Sequence, residues 1–318
     1  MMSEMDNRIL LTGASGFVGG SLAISLIEKG AFVRSAVRSP LLLDGVEIVH
    51  VSAIDTQTTW GKHLKGIDTV IHCAGRAHVM NDLFADPLPE YRRINVGGTI
   101  NLARQAAAAG VKRFIFLSSV KVNGEQTLKG QPFTEEDAAL PQNPYAISKF
   151  EAEQALFELA AQTDLEVVVI RPTLVYGCGV KANFFTMLRM VKLGMPLPFG
   201  SIENKRSFTY VENLHSLIMR CVEHPKAVNQ LFLASDGHDL STTELLRYCA
   251  SAMGVGVYLV PVPESWCMLS ASLLGQGEAI QRLCGSLQVD ISKARKLLDW
   301  EPPISVQAGL QKTVQNLL

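Results

Sequence analysis

Arg8-Ile9-Leu10-Leu11-Thr12-Gly13-Ala14-Ser15-Gly16-Phe17-Val18-Gly19 reads as a strand, a glycine turn and the start of a helix. The apolar run 9–11 suits a buried strand. A helix-like run follows over 21–29, and Gly30 can stop it. Glycines at 13, 16 and 19 let the backbone approach an anion, and the helix N-terminus behind them faces it. The spacing is GxxGxxG rather than GxGxxG, so the reading rests on the strand–turn–helix context. Outward from this stretch, apolar runs at 31–37, 46–51, 69–73, 113–117 and 167–170 alternate with helical segments. One of these, 95–109, ends in alanines before Gly110. Strands alternating with helices predict an α/β fold: a doubly wound parallel sheet covered on both faces. After Arg171-Pro172, glycines at 177, 179, 194 and 200 and a polar run over 201–207 break the pattern. A smaller, mostly helical domain is expected over 172–207 and 235–318. The first domain, 1–171, is expected to regain a segment near 208–234, where 230–234 reads as a strand.

Asn143-Pro144-Tyr145-Ala146-Ile147-Ser148-Lys149 is the second informative stretch. Pro144 fits the first turn of a helix, where a missing N–H costs nothing. Residues 150–161 hold no Gly or Pro, so Tyr145 and Lys149 fall at i and i+4 on one helical face. A phenol titrates near 10, and bringing it to about 7 takes roughly 4 kcal/mol. One ammonium about 4 Å away supplies energy of that order at an effective dielectric of 20. The spacing therefore predicts a phenolate near neutral pH.

The glycine turn together with the Tyr145/Lys149 pair resembles the extended short-chain dehydrogenase/reductases, Rossmann-type enzymes of which many act on nucleotide sugars. The resemblance runs from Arg8 to about Pro303 and implies roles for further residues. Gly13, Ser15, Gly16, Phe17, Val18 and Gly19 would hold the cofactor pyrophosphate. Ser118-Ser119-Val120-Lys121-Val122-Asn123-Gly124 resembles the family's SSxxVYG, with the catalytic hydroxyl at Ser119 and Asn123 in place of the usual tyrosine. Ser118 reads as a cap or turn residue. Ser119, Tyr145 and Lys149 complete a catalytic triad, the last two also touching cofactor. Sugar dehydratases carry Asp-Glu where this chain has Val120-Lys121, which disfavours water elimination; Lys121 is expected to face substrate.

Val37 stands where NAD enzymes place an acidic residue for the ribose, and Arg38 follows it. An arginine fork can hold a 2′-phosphate, so NADP(H) is expected, with NAD as the alternative in which Arg38 stacks on adenine. Ile54 would contact the adenine. Cys73, Ala74 and Gly75 would run beneath the nicotinamide half, and Pro172 would line the same site. Arg76 and His78 follow on a loop expected to face the cleft, and Asn95 is expected to brace the active-site strand. Asn183, Arg206 and Arg282 resemble the family's contacts to a substrate diphosphate.

The implied reaction is hydride transfer at C4 of a UDP-sugar. The expected form is reduction of a UDP-4-keto-6-deoxy-N-acetylhexosamine to UDP-N-acetylquinovosamine, because the Val37-Arg38 pair leans toward NADPH. The alternative is a UDP-hexose 4-epimerase. A non-catalytic NADP-binding sensor is a third reading, and the intact triad argues against it.

Composition narrows the classes further. The chain has 318 residues, 47% hydrophobic, with a net charge of −1. That gives no basic excess for nucleic acid. Residues 1–7 show no apolar signal segment, and no apolar run is long enough to span a membrane. The segment 265–283 is apolar but lacks the basic face of a membrane-surface helix, so packing in the second domain is expected. Six scattered cysteines show no CxxC pair, and seven histidines show no ligand spacing, so a reduced, metal-free, cytoplasmic protein is expected. The expected partners are a UDP-sugar and, as an assembly, a second copy in a homodimer.

Overall fold

The computed structural model describes residues 7–77, 86–180, 182–263, 265–266 and 277–315. Seven parallel strands form the main sheet: β1 Arg8–Thr12, β2 Phe32–Val37, β3 Val46–His50, β4 Thr69–His72, β5 Arg113–Leu117, β6 Glu166–Pro172 and β9 Gln230–Ala234. Their order is β3-β2-β1-β4-β5-β6-β9. The central strands are continuously apolar because both faces are covered, and their side chains sort by parity. Ile9, Leu11, Ile71, Ile115, Val168 and Ile170 face one core with α1 (Phe17–Glu28) and α7 (Val211–Glu223). Leu10, Val70, Phe114, Phe116, Val167 and Val169 face the other with α4 (Thr99–Ala108) and α5 (Pro144–Ala160). The strand Gln230–Ala234 pairs with β6, from Val168 against Gln230 to Pro172 against Ala234.

A short α2 (Gly61–Leu64) lies before β4. The helix that ends in α4 starts earlier than the alanine-rich pattern suggests. It begins with α3 at Leu88–Tyr91 and passes through a π-helical stretch, Arg92–Gly98. Gly97 and Gly98, inside the helix expected over 95–109, serve packing. A Cβ on Gly98 would lie 2.6 Å from the Ile54 carbonyl oxygen, and one on Gly97 2.7 Å from Thr56 Cγ2.

A third core gathers Tyr176, Leu188, Val191, Phe208, Leu246, Cys249, Leu310 and Val314. It joins a two-stranded parallel sheet, β7 (Leu174–Tyr176) with β8 (Phe208–Tyr210), to α6 (Ala182–Lys192) and α8 (Thr242–Met253). α8 carries a capping box between Ser241 and Glu244 and ends at Gly254 in the left-handed region. The helices Gly277–Cys284, Ser292–Leu298 and Val306–Gln315 follow. Within the apolar segment 265–283, residues 267–276 lie outside the described residues. No helix of the described residues is long and apolar enough to cross a membrane.

Candidate active site

Strand order reverses between β1 and β4, so a crevice opens beyond their carboxyl ends. Thr12 and His72 are register partners there. The buried His72 ring bonds Thr12 Oγ1 at 2.7 Å and Thr99 Oγ1 at 3.0 Å, and Thr12 Oγ1 accepts from the Ala74 N–H at 3.2 Å. Burial lowers His72 to about 3, with Lys149 adding to the fall, so the ring is neutral and fixes strand ends rather than exchanging protons.

The backbone in this crevice leaves no room for side chains. Gly13 has φ +82, and a Cβ on it would lie 2.8 Å from Ala74 N; one on Gly19 would lie 2.3 Å from Gly13 O. Gly16, the N-cap of α1, makes no side-chain cap bond, so the first N–H groups of a 12-residue helix remain available to an anion. A Cβ on Gly75 would press on Asn95 Oδ1 at 3.1 Å and Lys149 Nζ at 3.4 Å. The cradle fits a dinucleotide, with its pyrophosphate at residues 13–19 and its reactive half passing Cys73, Ala74 and Gly75. Ile54, partly buried against α4, and the buried Pro172 at the end of β6 flank the same crevice.

α5 carries Tyr145 and Lys149. Asn143 is its N-cap, accepting from the Ala146 N–H at 2.9 Å, and Pro144 occupies the first turn. Lys149 is buried, and its Nζ donates to the Leu117 carbonyl at 2.8 Å and lies 4.4 Å from the Phe116 ring centre. Burial lowers it to about 8. The Tyr145 phenol departs from the expected phenolate. Burial pushes it up to about 12, with the hydrogen-bonded Ser119 hydroxyl pulling it down and Tyr91 adding to the rise. Loss of water outweighs the Ser119 hydrogen bond, while the Lys149 ammonium expected to stabilise a phenolate is held at the Leu117 carbonyl. In the protein alone, Tyr145 is therefore an acid, not a phenolate.

The cap role read from sequence for Ser118 falls to Ser119, which keeps its contact to Tyr145 as well. Ser119 Oγ accepts from the Lys121 N–H at 3.3 Å and caps the 3-10 turn Val120–Val122 while reaching Tyr145. Ser118, read as a cap, donates instead to the buried Glu153 carboxylate. Glu153 accepts from Arg171 Nε at 3.0 Å, and Arg171 Nη1 donates to Asn123 Oδ1 at 2.8 Å. Asn123, where the family has tyrosine, donates to Thr134 O at 3.1 Å and so holds the loop through that network. Asn95 clamps the Arg76 backbone, accepting from its N–H at 2.7 Å and donating to its carbonyl at 3.0 Å, and also donates to Ser148 Oγ at 2.9 Å. The Arg76 guanidinium lies 5.2 Å from the centre of the Tyr91 ring, which packs edge-on to Tyr145. His78 and the side chain of Asn183 lie outside the described residues.

Arg206 and Arg282 come together. Arg206 Nη1 donates to the Gly285 carbonyl at 2.8 Å. Burial lowers its guanidinium to about 10, with Glu125 opposing the fall and Arg282 adding to it. Lys121 Nζ lies 3.8 Å from Glu125 Oε1, which also accepts from Asn143 Nδ2. Sequence patterns gave no signal for Glu125; it follows a motif glycine and resembles any loop carboxylate.

Residues 9–233 match the NAD dependent epimerase/dehydratase family. The chain is 50% identical to a UDP-glucose 4-epimerase of Vibrio cholerae, across 99% of this chain and 97% of that one. Among solved structures, it resembles a UDP-glucuronic acid 4-epimerase from Bacillus cereus in complex with NAD (TM-score 0.78, 20% identity, 98% of each chain). It also resembles MoeE5 in complex with UDP-glucuronic acid and NAD (TM-score 0.77, 24% identity, 98% of each chain). These NAD complexes overturn the expectation of NADP(H) built on Arg38. The geometry gives a reason. Val37 is buried against the α1 core, and Arg38 beyond it is exposed, with no hydrogen bond or ion pair among the described residues to set its fork for a 2′-phosphate.

Proposed function

The chain belongs to the NAD dependent epimerase/dehydratase family, and on that premise we propose that it is a UDP-hexose 4-epimerase. The observation that carries this reading is a proton-transfer group, Ser119 with Tyr145 on the Lys149 helix, placed in one site with the arginine pair Arg206/Arg282. The first handles an alcohol or ketone oxygen, and the second suits two phosphates. The name of the Vibrio cholerae relative supports the same substrate class.

When bound, NAD supplies the acceptor, and then the donor, of the hydrogen on C4. The chain's own residues do the rest. Residues 13–19 hold the pyrophosphate, and Cys73, Ala74, Gly75 and Pro172 shape the pocket for the reactive half. Ile54 packs at the adenine end, and Arg38 lies over it from solvent. Lys149, at the Leu117 carbonyl, places an ammonium between the cofactor ribose and the Tyr145 helix. Tyr145 is a neutral phenol in the protein alone, so it would first lose its own proton to solvent, favoured by the positive charge of bound NAD. Its Oη would then take the proton of the C4 hydroxyl and return it to the C4 oxygen once the sugar has presented its other face. Ser119 Oγ shares the hydrogen bond to that oxygen. Arg206 and Arg282, with Asn183, hold the diphosphate while the sugar turns, and Arg76 and Lys121 border the sugar. Residues 1–171 and the segment near 208–234 thus serve the dinucleotide, while 172–207 and 235–318 serve the substrate. Dehydration finds no carboxylate after Ser119: Val120 is buried and Lys121 is paired with Glu125.

The test is interconversion of UDP-glucose and UDP-galactose by the purified protein with no reduced cofactor added. Conversion under those conditions is the expected result. Consumption of free NADPH with a UDP-4-keto sugar, without interconversion of hexoses, would establish a 4-ketoreductase instead.

A further inference from the structure

We propose that Glu125 is a specificity-determining residue, whose carboxylate accepts a hydroxyl of a neutral hexose and excludes hexuronates. The proposal rests on the UDP-sugar reading above and concerns which sugar that site takes.

Three contacts locate the carboxylate. Its Oε1 accepts from Asn143 Nδ2, and Asn143 caps the helix that carries Tyr145 two residues later. The same Oε1 lies 3.8 Å from Lys121 Nζ, and Lys121 stands two residues after Ser119. On its other side, Glu125 acts electrostatically on Arg206, the residue paired with Arg282. Glu125 is thus bracketed by the groups for the C4 oxygen and the groups for the diphosphate. A hexose spans that interval, from C4 to its anomeric phosphate. Both polar contacts use Oε1, and Oε2 makes no hydrogen bond among the described residues. The side chain is about a quarter exposed.

A carboxylate only accepts hydrogen bonds. A hydroxymethyl or ring hydroxyl satisfies it, whereas a sugar carboxylate sets like charges together in a site with little water. Lys121 does not rescue a uronate, because its ammonium already faces Glu125. Replacing Glu125 by glutamine keeps an oxygen for Asn143, removes the charge and leaves Lys121 without that counter-charge.

The test is calorimetric titration of the NAD-loaded full chain, wild type and Glu125→Gln, with UDP-glucose and with UDP-glucuronate, alongside turnover of each. Wild-type protein is expected to prefer UDP-glucose by tenfold or more. Glu125→Gln is expected to shrink that preference by at least tenfold, through tighter uronate binding. A merely structural Glu125 would weaken both ligands alike and leave the ratio unchanged, and that result overturns the proposal. Equal wild-type affinity for the two sugars overturns it as well. Because the ratio is read from binding, loss of turnover with the preference intact would strike only the epimerase reading.

Discussion

Tyr145 and Lys149 move in opposite directions on the pH scale from one cause, burial: the phenol rises to about 12 and the ammonium falls to about 8. Tyr145→Phe removes only the oxygen that moves the proton. Turnover should fall by roughly 10²–10⁴ while NAD affinity measured by calorimetry stays near wild type; retained turnover would remove Tyr145 from the chemistry. Lys149 permits a prediction with a sign. Its folded value lies below the unfolded 10.5, so between 10.5 and about 8 the unfolded chain binds the extra proton and folding loses stability as pH falls. Below about 8 the full penalty applies, about 3 kcal/mol at 1.36 kcal/mol per unit. The hydrogen bond to Leu117 returns about 1 kcal/mol. In NAD-free protein, Lys149→Met should therefore be more stable than wild type at pH 7, by about 1–2 kcal/mol. The gain should vanish toward pH 10.5. Urea unfolding across that range checks it, and a gain that grew with pH would refute the assignment. The residue pair was legible in the sequence, but the sign of the phenol shift was not. Spacing reports which charges are neighbours and says nothing about how much water they lose. Glu153 was hidden for a similar reason. On an Ala-, Glu- and Leu-rich helix it reads as surface, and its partners Ser118 and Arg171 sit at the ends of two strands.

The elements follow from simple rules where burial is symmetric and depart from them where packing is tight. The strands were readable because runs such as Val167, Val168, Val169 and Ile170 must be apolar on both faces. The helix start at Leu88 was not, because the expected helix began only at Asn95 and the π-helical stretch Arg92–Gly98, which brings Gly98 against the Ile54 carbonyl, breaks the 3.6-residue period. The glycine turn behaves the same way and can be tested. Gly19→Ala would place a Cβ 2.3 Å from Gly13 O, backbone against backbone, so the turn or α1 must shift. Overpacking of this kind costs about 1–3 kcal/mol. Thermal unfolding should register that loss, and NAD titration should show weakened binding because the cradle has opened. Unchanged NAD affinity would mean that the pyrophosphate does not lie on residues 13–19.

At the scale of the whole molecule, the proposed proton-transfer groups lie on the loop after β5 and on α5, and the proposed diphosphate arginines lie in the later half, so the two can be separated by mutation. Arg206 was legible only through its resemblance to a diphosphate-binding arginine. Composition and periodicity carry no record that Arg282, far along the chain, comes near enough to Arg206 to act on it, or that Glu125 does so too. The structure adds a cost. Arg206 is largely buried near a like charge, and both effects lower its pKa, so the site without substrate holds a poorly solvated cation offset by Glu125 and the Gly285 carbonyl. A diphosphate relieves that cost on binding, and an alanine cannot exchange it. Arg206→Ala should therefore raise the UDP dissociation constant tenfold or more, consistent with about 1.5–3 kcal/mol for a charged hydrogen bond. NAD affinity should hardly change, since residues 13–19 lie at the other end of the crevice. The variant without ligand should unfold at no lower a temperature than wild type, because it buries one charge fewer. Calorimetry with UDP and with NAD, together with melting curves in the presence and absence of UDP, reads all three effects. Equal losses for UDP and NAD would indicate a general disturbance of the fold, and wild-type protein that failed to bind UDP at millimolar concentration would remove the nucleotide-sugar reading and leave a smaller carbonyl compound as the substrate.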